Sequence, residues 1–202
     1  MTIELMKNCK YIFIVTGLLF TIISCNKEAT TFSNVQSSSV DINNSSSQYF
    51  IGEHFGGGII FYIDATGKHG LIALSADLEE PLFWSKKYIL TGAKDTTLGS
   101  GLANTNKIVK KLGFPQFEAD TYAALECLEL NQNGYQDWYL PSINELNVLY
   151  KNKAIVGGFQ PFAYWSSSEW GTKKAWFKNF SNGTQVIQLK TAQYALRPIR
   201  KF

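Results

Sequence analysis

The sequence predicts an α+β domain over residues 49–202, with antiparallel strands at both ends of that stretch and two to three helices between them. Three observations carry this expectation. An apolar run, Ile59–Ile63, is followed by a turn-rich stretch and a second apolar run, Leu71–Leu74. Apolar residues then recur at helical spacing through the middle of the chain. Strand-like periodicity returns in the last third, around Asn182-Gly183.

Taken in order, Gly56-Gly57-Gly58 opens the domain and leads into Ile59–Ile63, a strand apolar on both faces and therefore central or sandwiched. The glycines are not a phosphate loop: they precede a strand and lack the Gly-Lys-Ser/Thr ending. Ala65–Gly70 has turn composition, and Leu71–Leu74 returns as the partner strand. Around residues 104–112, Ile108, Val109 and Leu112 form a helical stripe, with Gly113 at the stop and Pro115 beyond. Around 118–130, Ala119, Ala123, Cys127 and Leu130 recur at helical spacing, with Glu118 and Asp120 in the first turn. Ser142-Ile143-Asn144-Glu145 is a capping box that starts a third helix, which faces Leu146, Leu149 and Tyr150 inward. Near the C-terminus Trp176 and Phe180 are assigned to one strand face and Asn182-Gly183 to a hairpin turn. Ile187 and Leu189 fall on the matching face of the return strand. Pro198 places the last strand at an edge or a bulge.

Three segments stand out in the order they occur: Asp137-Trp138-Tyr139-Leu140-Pro141-Ser142-Ile143-Asn144-Glu145-Leu146, then Tyr164-Trp165-Ser166-Ser167-Ser168-Glu169, then Arg197-Pro198-Ile199-Arg200. Together they resemble the C-terminal domain of the Legionella collagen-like protein, over approximately residues 50–202. That family is similar to the C-type-lectin-like fold, which the formylglycine-generating enzymes share. The resemblance implies N- and C-terminal strands that meet in one sheet. It does not carry activity. The copper-binding cysteine pair of the formylglycine-generating enzymes is absent, since only Cys127 lies within the domain. The Glu-Pro-Asn, Gln-Pro-Asp and Trp-Asn-Asp tripeptides of calcium-dependent lectins are absent too. A closer cousin is the variable receptor domain of diversity-generating retroelements, which ends in a similar sequence and binds macromolecules through exposed side chains.

The residues themselves favour recognition over catalysis. His54 and His69 lack metal-ligand spacing, and no Gly-x-Ser-x-Gly elbow surrounds any serine. Cys127 falls on an inward helix face with no basic neighbour to activate it. No cofactor, metal or catalytic residue is expected. Asp137, Trp138, Pro141, Ser142, Glu145, Trp165, Arg197 and Arg200 read as framework, with Arg197 and Arg200 pairing to Asp137 or Glu145. The expected contact surface is the loop of Glu169, Trp170, Lys173 and Lys174, with Gln185, Gln188 and Tyr194 facing outward, for a glycan or a surface protein. Two rival readings are an enzyme, degenerate or unrecognised, and a structural fimbria-like component.

Ahead of the domain, Lys7 and Lys10 precede an apolar stretch, residues 11–24, that is short for a membrane span. Ile22-Ile23-Ser24-Cys25 resembles a lipobox, so residues 1–24 read as a lipoprotein signal and Cys25 as the lipid anchor, carrying acyl chains such as palmitate. Acyl chains at about 0.8 kcal/mol per buried methylene make such an anchor permanent. Residue 26 is Asn, not the aspartate of inner-membrane retention, which points to the outer membrane. Residues 25–48 are a Ser-rich tether spanning on the order of 25 Å as a coil. Asp95-Thr96-Thr97 resembles a Bacteroides-type O-glycosylation site at Thr96. The net charge of +3 and scattered lysine pairs supply no basic stripe for nucleic acid.

Overall fold

A computed structural model describes residues 48–117 and 120–202. The leader, Cys25 and nearly all of the tether lie outside the described residues. Among the described residues no helix is long and apolar enough to cross a membrane.

The fold is α+β, and among the described residues the ladders between strands are antiparallel, with one isolated parallel bridge from Tyr164 to Ala195. A four-stranded sheet has the order β1(His54–Phe55), β2(Gly58–Ile63), β3(Gly70–Ala73), β9(Ile199–Lys201). Strand alternation sorts its side chains: Ile59, Phe61, Leu71 and Ala73 join one core cluster, and Ile60 and Ile72 join Leu74 and Trp138 in another. This is the two-faced burial that the unbroken apolar run predicts. Each buried Ile, Leu or Phe among them contributes about 1.5–3 kcal/mol. A side chain at Gly58 would strike the Ala73 carbonyl, so the close approach of β2 and β3 requires glycine there. β9 lies at the sheet edge immediately after Pro198, whose carbonyl accepts from Leu74 N at 3.0 Å.

A second sheet, β5(Ala163–Glu169), β6(Lys174–Asn179) and β7(Gln185–Leu189), has β6 at its centre, and β4(Leu82–Phe83) pairs with β8(Gln193–Tyr194). The β6–β7 hairpin turns at Gly183, whose φ of +80° favours glycine. Between β4 and β5 along the chain run α1(Gly101–Leu112), α2(Ala123–Glu129), α3(Ile143–Lys151) and the single turn α4(Lys153–Val156), one helix more than the two to three expected.

Two local expectations are corrected. α2 begins at Ala123, not near 118, because Tyr122 is extended and its hydroxyl donates to Gly113 O at 2.9 Å. Residues 118 and 119, including Glu118 and Ala119, lie outside the described residues. On β6 it is Ala175 and Phe177, not Trp176, that face the core around Trp84 and Trp165. Phe180 falls beyond the strand, in the cluster with Tyr164 and Leu149.

Candidate functional site

The Ser-Ser-Ser-Glu stretch of β5 forms one wall of a clamp. Glu169, although at the strand end, is only 2% exposed. Its carboxylate meets Lys190 Nζ at 2.5 Å and accepts from Thr91 N at 2.9 Å and Gly92 N at 3.0 Å. Lys190 in turn donates to Ile89 O at 2.8 Å and sits 4.4 Å over the Trp84 ring. Burial lowers the pKa of this ammonium, and the Glu169 carboxylate opposes that shift. Further along, Glu169 N donates to Ala93 O at 2.7 Å and Ser168 Oγ to Asp95 O at 2.9 Å.

The start of α3 forms the other wall. Ser142 Oγ accepts from Glu145 N at 3.2 Å, and Glu145 accepts from Ser142 N at 2.6 Å, which completes the capping box. Both side chains have a second role: Ser142 Oγ donates to Thr97 O at 2.8 Å, and Gly99 N donates to Glu145 at 3.0 Å. Burial raises the Glu145 pKa, against the hydrogen bonds that it accepts. Gly101 leaves room for this carboxylate, which any Cβ there would strike. The connector from Ile89 to Gly99 is thus stapled at each end by residues of the two motifs. Thr96, in the middle, is half-buried and its carbonyl accepts from Asn144 N at 3.2 Å.

Held beside this clamp is an aromatic surface. Trp170 is 57% exposed and stands edge-on to Trp176, ring centroids 5.2 Å apart. Tyr88, just before the connector, and Leu90 on it are exposed, and Lys173 Nζ lies 5.9 Å from the Tyr88 ring. Of the residues expected at the contact surface, Trp170, Lys173, Lys174 and Gln185 are exposed. Gln188 is half-buried and its amide oxygen accepts from Leu189 N at 2.8 Å. Two placements are corrected. Glu169 is not on the surface, because the connector's amides and Lys190 draw its charge inward. Tyr194 does not face outward: its ring packs 4.6 Å from Trp165 and 4.7 Å from Phe177.

The arginines divide their tasks. Arg200 grips Asp137 with two bonds, Nε to Oδ1 at 2.6 Å and Nη2 to Oδ2 at 2.9 Å. Arg197 pairs with neither Asp137 nor Glu145. Fully buried, it donates to Asp77 at 2.7 Å, Leu74 O at 3.0 Å, Gly157 O at 3.2 Å and Gly158 O at 2.6 Å. Asp77 also accepts from the Tyr164 hydroxyl at 2.5 Å, so one carboxylate joins the second motif to the third.

A family model of the Lcl C-terminal domain matches residues 74–200, more than half of the chain. The chain belongs to that family. No curated protein matches it. Its structure is similar to the crystal structure of a fimbrial protein from Bacteroides ovatus at 16% identity and a TM-score of 0.46, covering 70% of this chain and 43% of that one. The chain therefore spans less than half the length of that protein, and a likeness at this level carries no argument about function. Within this Lcl C-terminal domain the first two motifs hold the connector, and the arginines of the third lock the end of β3, the segment after α4 and Asp137 together.

Cys127 is fully buried in the α1–α2 core, and burial raises its thiol pKa well above the usual range. His54 and His69 are exposed, and among the described residues no three metal-ligating side chains converge. Sequence reasoning missed Lys190 and Asp77, the two partners that complete the buried pairs, and Tyr88 and Leu90 at the start of the connector. An acidic residue beside an aliphatic run is a weak signal for Asp77. Lys190 had none.

Proposed function

We propose that this Lcl C-terminal domain is the binding module of a cell-envelope lipoprotein, recognising a glycan or a protein without chemical turnover. The observation that carries this is the fate of the signature's charges. Glu145, Glu169, Arg197 and Arg200 are each engaged in capping or ion-paired contacts. That leaves Trp170, exposed beside Trp176 on a stapled support, as a side chain next to the signature that the framework does not use. Preorganised aromatic contacts of this kind bind with little ordering cost. A C-type-lectin-like fold is consistent with β9 joining β3, so that the first and last strands share one sheet. The Cys25 lipobox and Ser-rich tether supply the address, with the outer membrane as destination.

Two experiments test this reading. Trp170→Ala is expected to abolish retention on a glycan array or an outer-membrane pull-down while changing stability by less than about 1 kcal/mol. Undiminished retention of that variant would remove Trp170 from the interface. Cys25→Ser is expected to abolish incorporation of labelled palmitate and to shift the protein from the membrane to the soluble fraction. A variant that stays membrane-bound and labelled would refute the anchor.

A further inference from the structure

Far along the chain from the Trp170 surface, the connector between α1 and α2 raises a short ridge, Phe114-Pro115-Gln116-Phe117. Its two phenyl rings are 71% and 68% exposed, more than any other large apolar side chain described. The ridge separates two hollows. One, of about 350 Å³, is walled by Lys86 and Lys87, with Asp120 already paired to Lys86 at 2.8 Å. The other, of about 520 Å³, is walled by Glu126 and Glu129. Among the described residues Lys87, Glu126 and Glu129 enter no ion pair.

This arrangement limits the partner. Bare phenyl groups next to lysines suit an anionic bilayer, but two carboxylates on the opposite flank would meet the same headgroups and be repelled. A surface basic on one side of an apolar ridge and acidic on the other is complementary to its own two-fold image. In an isologous contact the residue at one side of the axis meets the residue at the other, and the reverse. Set ridge to ridge across such an axis, the Lys87 flank of one copy faces the Glu126–Glu129 flank of its partner, and the four phenyl rings stack between them. We infer that this ridge is a two-fold self-association surface, whose partner is a second copy of the chain. The four rings offer about 500 Å² of apolar area, less than half of what a permanent interface buries, so the dimer is a weak, reversible one. Opposed charges at its rim fix the register more than they add affinity.

Sedimentation velocity of the full chain in detergent, over a concentration series, tests this. The parent is expected to pass from monomer to dimer. Phe114→Ala/Phe117→Ala should stay monomeric with an unchanged melting temperature, since both rings are exposed. Lys87→Glu and Glu129→Lys should each weaken the dimer by about tenfold. The two changes in one chain should restore it, because the two-fold axis brings the reversed charges together again. A parent that is monomeric throughout overturns the proposal. So does flotation with phosphatidylglycerol vesicles, lost in the double phenylalanine variant, without self-association. A charge-reversed double variant no better than either single one also overturns it, because it would remove the two-fold pairing.

Discussion

Lys190→Met is expected to lower the unfolding free energy by about 3–5 kcal/mol, the cost of leaving one member of a buried ion pair without the other. Both side chains of the Glu169–Lys190 pair are fully shielded from solvent. Removing the ammonium leaves a carboxylate with the Thr91 and Gly92 amides as its donors, and strips Ile89 O of its partner. Denaturant unfolding measures the loss, and amide exchange at Thr91 and Gly92 should accelerate with it as the connector loosens. Pairing the change with Glu169→Gln should recover most of the stability, because a neutral amide still accepts from the connector without a buried charge. A single variant within about 1 kcal/mol of the parent would contradict the clamp. So would a double variant no better than the single one.

Arg197→Ala should cost as much or more, again about 3–5 kcal/mol. The guanidinium satisfies three main-chain carbonyls and the Asp77 carboxylate, and it lies 3.9 Å from the Phe159 ring. No other side chain offers a rigid fork of donors, so Arg197→Lys should rescue little. By contrast Asp137→Ala should cost about 1 kcal/mol or less, since Asp137 is more than half exposed and its pairing to Arg200 is screened. Thermal or denaturant unfolding of the three variants side by side checks the ranking. An Asp137 variant as damaged as Arg197→Ala would mean that the outer pair carries the fold.

The elements that were legible in the sequence are those whose cause is local. The stripe of Ile108 and Val109, the Ser142–Glu145 box and the Asn182-Gly183 turn each declare themselves within a few residues, and the structure places them accordingly. Glu169 was misread because its environment is not local. In Ser-Glu-Trp-Gly it has the look of a loop residue, yet the donors that bury it lie 77 and 78 positions earlier and its counter-ion 21 positions later. The same holds for Arg197, whose partner Asp77 is 120 positions away. Tyr194 and Trp176 were misassigned for a related reason. On a short strand, alternation shows which residues share a face but not which face meets the core. Phe177 and Tyr194 turn toward Trp165, and Trp176 is left beside Trp170.

The seating of β9 against β3 has a consequence for how this chain reaches its native state. Leu71 and Lys201, register partners, are separated by about 130 residues, and contacts of such separation slow folding by the entropy of closing so large a loop. Until residues 199–201 arrive, β3 exposes a row of unpaired main-chain groups, an invitation to foreign strands. The pairing of β3 is therefore completed by a segment that lies far from it in the chain, and that open row is a point of vulnerability to misassembly until the two meet.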